Sequence, residues 1–399
     1  MMALDQRVVI VGASLAGVRG AEALRRAGFR GRITLVGAER HFPPYDRPPL
    51  SKQILAGSWQ PEAGRLRVDD SMDLDLLLGR PAEQVDMKER VVRLDGITLP
   101  FDGLMVATGA TPRCLPAGPR VPGRGVHTLR TVDDCLRLRE ELRDATRVAV
   151  VGAGFIGCEV AATCRTLGLD VTLIDVLPQP MLRVVGPEIA RVLAEFHRSR
   201  GVRLALGRTV LDLPGDGRVE GVLLDGDDLI DADVVVVAIG VRPETRWLDG
   251  SGLMLRDGVV CDEHCFALGA DTAVAVGDVA RWYHQLLGMS LRVEHWTNAV
   301  SQAQAAGRNL AARLAGRAAP EPYAAVPYFW SDQHDWKLQF AGVTGDEVSV
   351  EEGAAESGTF VAAYRSAGRL VGALCVNRPA RLAAYRRRIL AEWSGCAVG

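Results

Sequence analysis

Lysine is scarce in this chain of 399 residues. Only three of its 47 basic residues are lysines, namely Lys52, Lys88 and Lys337, and the others are arginines. Lysine carries a compact ammonium on a flexible stem, whereas arginine carries a planar fork, so the two do different chemistry. Because arginine is the default cation in this chain, a lysine within a motif indicates a chemical role.

An excess of charge of one sign is also absent, because 49 acidic residues leave a net charge of −2. This balance argues against a dedicated nucleic-acid-binding protein. No run of 18 apolar residues occurs, so no transmembrane helix and no membrane association are expected. A strand pattern begins at Val8 without a basic region and cleavage site before it, which predicts no signal peptide and a cytoplasmic location.

Paired cysteines and metal-ligand clusters are missing as well. The eight cysteines form no CxxC pair, and none precedes Cys114. In a cytoplasmic chain this pattern predicts free, mostly buried thiols. Cys261 and Cys265 lie four residues apart without a second pair, and the seven histidines show no ligand spacing, so no metal site is predicted.

Two glycine-rich segments, residues 7–17 and 147–159, resemble each other. Each has an apolar run of strand length, a glycine-rich turn, a helical pattern and a second apolar run. Glu39 follows the first turn and Asp175 the second at the spacing that dinucleotide-binding βαβ units use for an acidic residue. Ser14 replaces the second glycine of the first motif. The segments predict two dinucleotide-binding units.

Further strand patterns place the second unit within the first in sequence. Apolar runs of strand length precede residues 107–109 and residues 277–278, one on each side of the second unit, and a third run precedes Gly240 at the end of the second unit. Strands of the first unit therefore flank the second. The predicted fold class is α/β, with two nested Rossmann-like domains and a small C-terminal α+β domain. The first domain is predicted to comprise residues 1–112 and 242–318, the second residues 113–241 and the third residues 319–399.

Several short motifs carry a more specific resemblance over nearly the whole chain. They are residues 48–52 (Pro-Pro-Leu-Ser-Lys), 107–109, 152–159, 277–278, 294–299, 329–333 (Phe-Trp-Ser-Asp-Gln) and 376–379. With these motifs the chain resembles the FAD-dependent NADH:ferredoxin reductases of the putidaredoxin reductase and rubredoxin reductase type, which share the glutathione-reductase-like fold. The resemblance implies FAD in the first domain and NADH in the second.

The resemblance also implies the residues that bind each cofactor. Those for FAD are Gly12, Ser14, Leu15, Ala16, Gly17, Glu39, Arg47, Lys52, Ala82, Ala107, Thr108, Gly109, Arg130, Gly277, Asp278, His295 and Trp296. Those for NADH are Gly152, Gly154, Phe155, Ile156, Gly157, Glu159, Asp175 and Gly240. NADH is expected in preference to NADPH, because a carboxylate at position 175 accepts hydrogen bonds from ribose and repels a 2′-phosphate. Arg183, eight residues further on, argues the other way.

Three residues are expected to act in catalysis. By resemblance, Lys52 lies beside the flavin and stabilises its reduced form, Glu159 contacts Lys52, and Trp330 lies next to the flavin ring. The residues alone also agree with a surface lysine, an acid favoured by a helix N-terminus and a core tryptophan.

Disulfide reductases of the same fold carry a redox cysteine pair after the first βαβ unit, whereas no cysteine precedes Cys114 in this chain. With no thiolate near the flavin, electrons are expected to pass directly to a small iron–sulfur carrier, a ferredoxin or rubredoxin, that supplies an oxygenase. The alternatives are an NADH oxidase or quinone-type reductase, and a flavoprotein whose redox state controls binding to a partner. A monomer or weak homodimer is expected.

Arginine is unevenly placed along the chain. Residues 302–317 carry three arginines and residues 378–388 carry five, and neither stretch contains an acid. Either stretch is predicted to bind an acidic ferredoxin. Two solvated helix faces would give the same pattern.

Overall fold

The computed structural model describes residues 5–115, 122–320 and 322–395, which form two compact units. Unit 1 consists of Met1–Asp46, Arg65–Thr111 and Arg242–Pro327. Unit 2 consists of Arg47–Gly64, Pro112–Val241 and Tyr328–Gly399. The segment Arg47–Gly64, which the sequence assigns to the first domain, thus groups with unit 2, and the division into three domains stays a prediction.

The secondary structure alternates strands and helices through most of the chain. The helices are α1 (Leu15–Arg26), α2 (Val132–Leu142), α3 (Phe155–Thr166), α4 (Leu182–Ser199), α5 (Trp296–Leu314) and α6 (Pro379–Trp393). The first strands are β1 (Arg7–Val11), β2 (Arg32–Gly37), β3 (Leu74–Leu78), β4 (Ala82–Asp86), β5 (Val91–Leu94), β6 (Ile97–Pro100), β7 (Gly103–Val106), β8 (Ala110–Pro112), β9 (Val126–His127), β10 (Arg147–Val151), β11 (Asp170–Asp175), β12 (Arg203–Leu206) and β13 (Val210–Asp212). The later strands are β14 (Gly221–Leu224), β15 (Leu229–Asp231), β16 (Val234–Val237), β17 (Val241–Pro243), β18 (Val259–Cys261), β19 (Ala273–Ala275), β20 (Ala280–His284), β21 (Met289–Leu291), β22 (Tyr328–Gln333), β23 (Trp336–Gly342), β24 (Glu347–Ala354), β25 (Thr359–Ser366) and β26 (Arg369–Val376).

Unit 1 is built on a five-stranded parallel sheet with the strand order β19-β7-β1-β2-β3. Its central strand β1 holds residues 8–11, whose side chains are at most 3% exposed. Strands covered on both faces need apolar residues at every position, which explains the continuous apolar run. Two three-stranded sheets, β4-β5-β6 and β18-β20-β21, complete the unit.

Unit 2 repeats this plan with a five-stranded parallel sheet of the order β12-β11-β10-β16-β9. Strands β10 and β16 are again apolar and buried. Helix α3 follows β10 through the second glycine-rich turn. In both units the turn therefore lies at the carboxyl end of a central parallel strand, where open α/β sheets bind their ligands.

Unit 2 also contains the sheet β13-β14-β15 and a larger sheet from the C-terminal part of the chain. The larger sheet is antiparallel, with the order β22-β23-β26-β25-β24. Helix α6 follows β26 and buries one face, at the helical spacing of Leu382, Tyr385, Ile389 and Trp393. With two parallel-sheet units and this antiparallel sheet and helix, the predicted fold class is confirmed.

The described residues were compared with the expectations about membranes, metals and cysteines. None of their helices has the length and apolar character needed to cross a membrane. No group of three or more histidine, cysteine, aspartate or glutamate side chains in this part of the chain is arranged to hold a metal ion. Seven cysteines are free thiols, all buried except Cys114, and Cys396 lies outside the described residues.

Candidate functional site

The first glycine-rich turn joins β1 to α1 in unit 1. Gly12 has a φ of +121°, and a Cβ there would lie 2.1 Å from the carbonyl oxygen of Ala107, so glycine is required. Ser14 has a φ of −99°, which every residue adopts, so the serine causes no backbone strain. The N-terminus of α1 has no side-chain cap bond and no acid in its first turn. Its N–H groups therefore suit an anion such as a pyrophosphate.

The second turn joins β10 to α3 in unit 2 and has the same construction. Gly152 has a φ of +107°, and a Cβ there would lie 2.3 Å from the carbonyl oxygen of Ala238. Gly154 is the N-cap of α3, which also lacks a side-chain cap bond and an acid in its first turn. The predicted NADH residues Phe155, Ile156, Gly157 and Glu159 lie in α3, and Gly240 lies after β16.

Asp175 lies at the end of β11 and is half-buried. Its Oδ2 atom accepts a hydrogen bond of 2.6 Å from the N–H of Ala153, in the glycine-rich turn. Its Oδ1 atom accepts one of 2.8 Å from the N–H of Leu177. Because each carboxylate oxygen has two acceptor positions, both oxygens keep capacity for ribose hydroxyl groups.

Most residues predicted to bind FAD lie at the carboxyl edge of the unit 1 sheet. Glu39 follows β2 and accepts a hydrogen bond from the hydroxyl of Tyr45. The hydroxyl of Thr108, after β7, donates to the carbonyl of Glu244 at 2.7 Å. The remaining residues are Leu15, Ala16 and Gly17 in the first turn of α1, Ala107 and Gly109 after β7, and Ala82 at the start of β4.

Gly277 and Asp278 begin a short 3₁₀ turn, Gly277–Val279, one residue after β19. The N–H of Gly277 donates at 2.8 Å to the side-chain oxygen of Gln302, a fully buried residue of α5. The amide of Asn298 donates to the same oxygen at 3.1 Å. Gln302 therefore fixes the turn against α5. Sequence reasoning missed it, although a glutamine within the alanine-rich face of a helix is a usable signal.

His295 and Trp296 begin helix α5. Burial lowers the pKa of His295 to about 4, so its ring is neutral at physiological pH. The indole N–H of Trp296 donates to Oδ1 of Asp46 at 2.6 Å, which holds the ring in one orientation. Burial raises the pKa of Asp46 despite this bond. Asp46 is a second residue that the sequence did not single out.

Arg47, Lys52 and Arg130 lie in unit 2, whereas the other predicted FAD residues lie in unit 1. The guanidinium of Arg47 donates to the carbonyl of Arg130 at 2.5 Å. Arg130 precedes Thr131, the N-cap of α2, and a capping box between Thr131 and Asp134 closes the N-terminus of this helix. The structure thus joins the two arginines to each other, and their FAD contacts stay a prediction.

Lys52 and Glu159 form a direct ion pair in unit 2, with 2.6 Å between Nζ and Oε2. Their side chains are 11% and 5% exposed. Ser51 donates to the same carboxylate oxygen at 2.5 Å, and Ser331 donates to Oε1 at 2.7 Å. We call these four residues the Glu159 cluster. Lys52 also donates to the carbonyl of Pro48 at 2.9 Å, so its ammonium has a second fixed partner.

Trp330 lies next to Ser331 in β22, but on the other face of the strand. Side chains alternate along a strand, and residues 329, 331 and 333 are buried while 328, 330 and 332 are half-buried. Trp330 stacks on Tyr328 with 6.2 Å between ring centroids. The sequence predicted Lys52 and Glu159 in this region but missed Ser51 and Ser331, although Ser51 lies in the motif at residues 48–52 and Ser331 in that at residues 329–333.

Comparison with known proteins identifies the family. Residues 6–303 match the family described as pyridine nucleotide-disulphide oxidoreductase, and residues 328–395 match the reductase C-terminal family. The chain belongs to the pyridine nucleotide-disulphide oxidoreductase family. It is 38% identical to rhodocoxin reductase of Rhodococcus erythropolis, over 96% of this chain and 90% of that protein.

Two further relatives define the branch of this family. The ferredoxin--NAD(+) reductase component of the anthranilate 1,2-dioxygenase system of Burkholderia cepacia is 38% identical, over 96% of this chain and 94% of that protein. A crystal structure of the covalent putidaredoxin reductase–putidaredoxin complex has a TM-score of 0.90 at 32% identity, covering 97% of this chain and 93% of that chain. The predicted resemblance to putidaredoxin-type ferredoxin reductases is confirmed, and the chain is an oxidoreductase that uses FAD and NAD(H).

The residues present fit both cofactors. Each turn has a glycine at which a side chain would collide with the neighbouring backbone, and each leads into a helix N-terminus without a cap bond. Glu39 and Asp175 stand at the ends of the adjacent strands, where each can accept hydrogen bonds from a ribose.

Proposed function

We propose that this family member takes a hydride from NADH onto FAD and passes the electrons singly to a small iron–sulfur protein, a ferredoxin or rubredoxin that supplies an oxygenase. A relative named as the ferredoxin reductase component of a dioxygenase system matches over nearly the whole chain, which supports this. The observation that carries the proposal is that the described part of the chain holds no pair of accessible thiols able to take electrons from the flavin. FAD supplies the conversion between a two-electron donor and a one-electron acceptor.

The state of the cysteines supports this route. A redox-active cysteine needs thiolate character and access to its partner. Burial raises the pKa of Cys135 and Cys164 to about 12 and that of Cys375 to about 11. Cys114 is exposed, but no second described cysteine forms a disulfide with it. Cys158, Cys261 and Cys265 are free and buried, and burial raises the pKa of each thiol. The described chain therefore holds no pair of accessible thiolates for chemistry of the disulfide reductase kind.

Lys52 and Glu159 are proposed to act together. A buried ammonium is a preorganised positive charge, and it stabilises negative charge that develops on reduced FAD. Glu159 holds the ammonium in place and balances its charge when FAD is oxidised. Trp296, oriented by Asp46, and Trp330 are proposed as flat apolar contacts of the flavin ring.

Steady-state turnover with NADH tests this function. Cytochrome c should be reduced rapidly only when a ferredoxin is added, because the flavin itself passes electrons to the iron–sulfur carrier. A rate independent of ferredoxin, with oxygen or a quinone as the better acceptor, would favour the oxidase or quinone reductase. Negligible turnover with every acceptor, together with redox-dependent binding of a partner, would favour the binding module.

We further propose that Asp175 selects NADH over NADPH, and Asp175→Ala tests this. The substitution removes the ribose acceptor and the repulsion of a 2′-phosphate. The ratio of kcat/KM for NADH to that for NADPH should fall by about tenfold or more, as expected for one hydrogen bond to a charged group. Asp170→Ala, at the exposed start of the same strand, is the matched control and should leave the ratio unchanged. A wild-type preference for NADPH would contradict the assignment.

The arginine-rich stretches differ in how many of their charges remain free to bind a partner. Glu351 and Glu352 of β24 form ion pairs with Arg378, which directly precedes α6, and with Arg381 and Arg388 of α6. In α5, Arg313 lies over the ring of Phe266, 4.4 Å from its centroid, and it remains exposed. The arginine count of this stretch thus overestimates its free positive charge, because the acids that pair with the arginines lie in β24.

Charge reversal at two exposed arginines tests the docking of an acidic ferredoxin. Arg308→Glu in α5 and Arg387→Glu in α6 should be compared with the exposed Arg93→Glu in β5 as the control. We expect Arg308→Glu to raise the KM for ferredoxin about tenfold, through lost electrostatic steering. Ferricyanide reduction by NADH should be unchanged. If only Arg387→Glu raises the KM for ferredoxin, the docking face lies on α6. If neither substitution raises it, both helices are eliminated as docking faces.

The other expectations about the molecule's surroundings remain predictions. They are a monomer or weak homodimer, a cytoplasmic location and the absence of nucleic-acid and membrane partners. Gel filtration of the FAD-loaded protein would test the first of them.

A further inference from the structure

A chain of buried hydrogen bonds runs from Glu159 to a histidine in helix α4. Ser331 donates to Glu159 at 2.7 Å, and the amide nitrogen of Gln333 donates to Ser331 at 3.0 Å. The amide oxygen of Gln333 lies 2.9 Å from Nε2 of His197. The side chains of Ser331, Gln333 and His197 are fully buried, and Glu159 is 4% exposed. These hydrogen bonds thus join strand β22 to helices α3 and α4 within unit 2.

The direction of every hydrogen bond in this chain is fixed by its ends. A carboxylate only accepts, so the hydroxyl of Ser331 must donate to Glu159. The hydroxyl is then free to accept from the amide nitrogen of Gln333, which leaves the amide oxygen to face His197. His197 must therefore donate from Nε2. Burial lowers the pKa of His197 to about 4, so its ring is neutral and carries a single N–H group.

We infer that Ser331 and Gln333 are positioning residues that hold the Glu159 carboxylate in the orientation in which it binds the Lys52 ammonium. Ser51 and Lys52 both bind Oε2, whereas Ser331 donates to the other oxygen, Oε1. Without it, the carboxylate can rotate about its last bond and the ammonium loses its fixed acceptor. Gln333 and His197 act one step further out, because they set the direction of the serine hydroxyl. This inference rests on the proposed role of Lys52 only where it concerns the rate of FAD reduction.

The scarcity of lysine makes the position of Lys52 directly measurable. Competitive acetylation followed by mass spectrometry compares Lys52 with Lys88 and Lys337, which are both exposed and serve as internal references. In the wild type, Lys52 should react far more slowly than the references. Ser331→Ala should raise its relative reactivity about tenfold, the effect of losing one hydrogen bond to a charged group. Ser331→Thr, which keeps the hydroxyl, should restore the slow reaction.

Two controls separate positioning from general damage to the fold. Ser199→Ala removes a serine hydroxyl of α4 that donates to the carbonyl of Phe196 and belongs to none of the hydrogen bonds between Glu159 and His197. It should leave Lys52 unchanged. Gln333→Met removes the donor to Ser331 but keeps the length of the side chain, and it should raise the reactivity of Lys52 as Ser331→Ala does. Circular dichroism should show each variant folded.

A double-mutant cycle then connects positioning to function. Ser331→Ala should slow the reduction of FAD by NADH about tenfold in the wild type and have no effect in the Lys52→Met background. Equal slowing in both backgrounds, or unchanged acetylation of Lys52 in Ser331→Ala, would overturn the inference. Faster acetylation of Lys52 without any change in FAD reduction would uphold the positioning of Lys52 and refute its proposed catalytic role.

Discussion

Lys52→Met should slow the reduction of FAD by NADH by about 10²–10³-fold, the usual cost of removing one preorganised charge. The protein should still bind FAD, because most residues predicted to bind it lie in unit 1 and Lys52 does not. Stopped-flow absorbance at the flavin band, with NADH at saturating concentration, measures the rate. The dissociation constant of NADH should change little, because the charge acts on the product of the transfer.

Lys88→Met is the matched control for this substitution. Lys88 is exposed and follows β4, so its replacement should leave the rate unchanged. A wild-type rate in Lys52→Met would show that the buried lysine serves the fold and not the chemistry. Loss of FAD from the variant would instead place Lys52 in cofactor binding.

Glu159→Leu should lower the free energy of unfolding by about 3–5 kcal/mol, because it leaves a buried ammonium without its counter-charge. The pair is 11% and 5% exposed, so water does not replace the lost carboxylate. Ser51 and Ser331 lose their acceptor in the same variant. Chemical denaturation of the FAD-free protein, followed by circular dichroism, measures the effect without a contribution from the cofactor.

Two further variants test the physical cause. Glu140→Leu removes an acid of α2 whose pair with Arg143 is solvent-exposed, and such pairs contribute less than about 1 kcal/mol. Glu159→Leu combined with Lys52→Met removes both buried charges and should be more stable than Glu159→Leu alone. If the double variant were less stable than Glu159→Leu, the unpaired charge would not be the cause.

The two glycine-rich turns were predictable from sequence because their determinants are local. A strand covered on both faces, a glycine required by close approach and a following helix all lie within one short stretch. The Lys52–Glu159 contact is different, since 107 residues separate its partners. It could be expected only from resemblance to a family, because no local pattern pairs an acid in α3 with a lysine after a 3₁₀ turn.

The residues that orient the site were not predictable for the same physical reason. Asp46 meets Trp296 across 250 residues, and Ser331 meets Glu159 across 172 residues. A serine or aspartate in a motif shows no preference for one distant partner until the fold brings the two together. The neutralised arginines of α6 show the converse, because the acids that pair with them lie in β24 and not in the arginine-rich stretch itself.

We propose that electrons from NADH leave FAD one at a time and pass directly to an iron–sulfur protein. The most direct test is an anaerobic single-turnover experiment in which protein reduced with one equivalent of NADH is mixed with excess oxidised ferredoxin. Two ferredoxin molecules should be reduced for each NADH consumed, and the same yield is expected after the accessible thiols, Cys114 among them, have been blocked by alkylation under native conditions. Failure of the reduced flavin to be reoxidised by ferredoxin, or loss of the transfer on alkylation, would contradict this direct route.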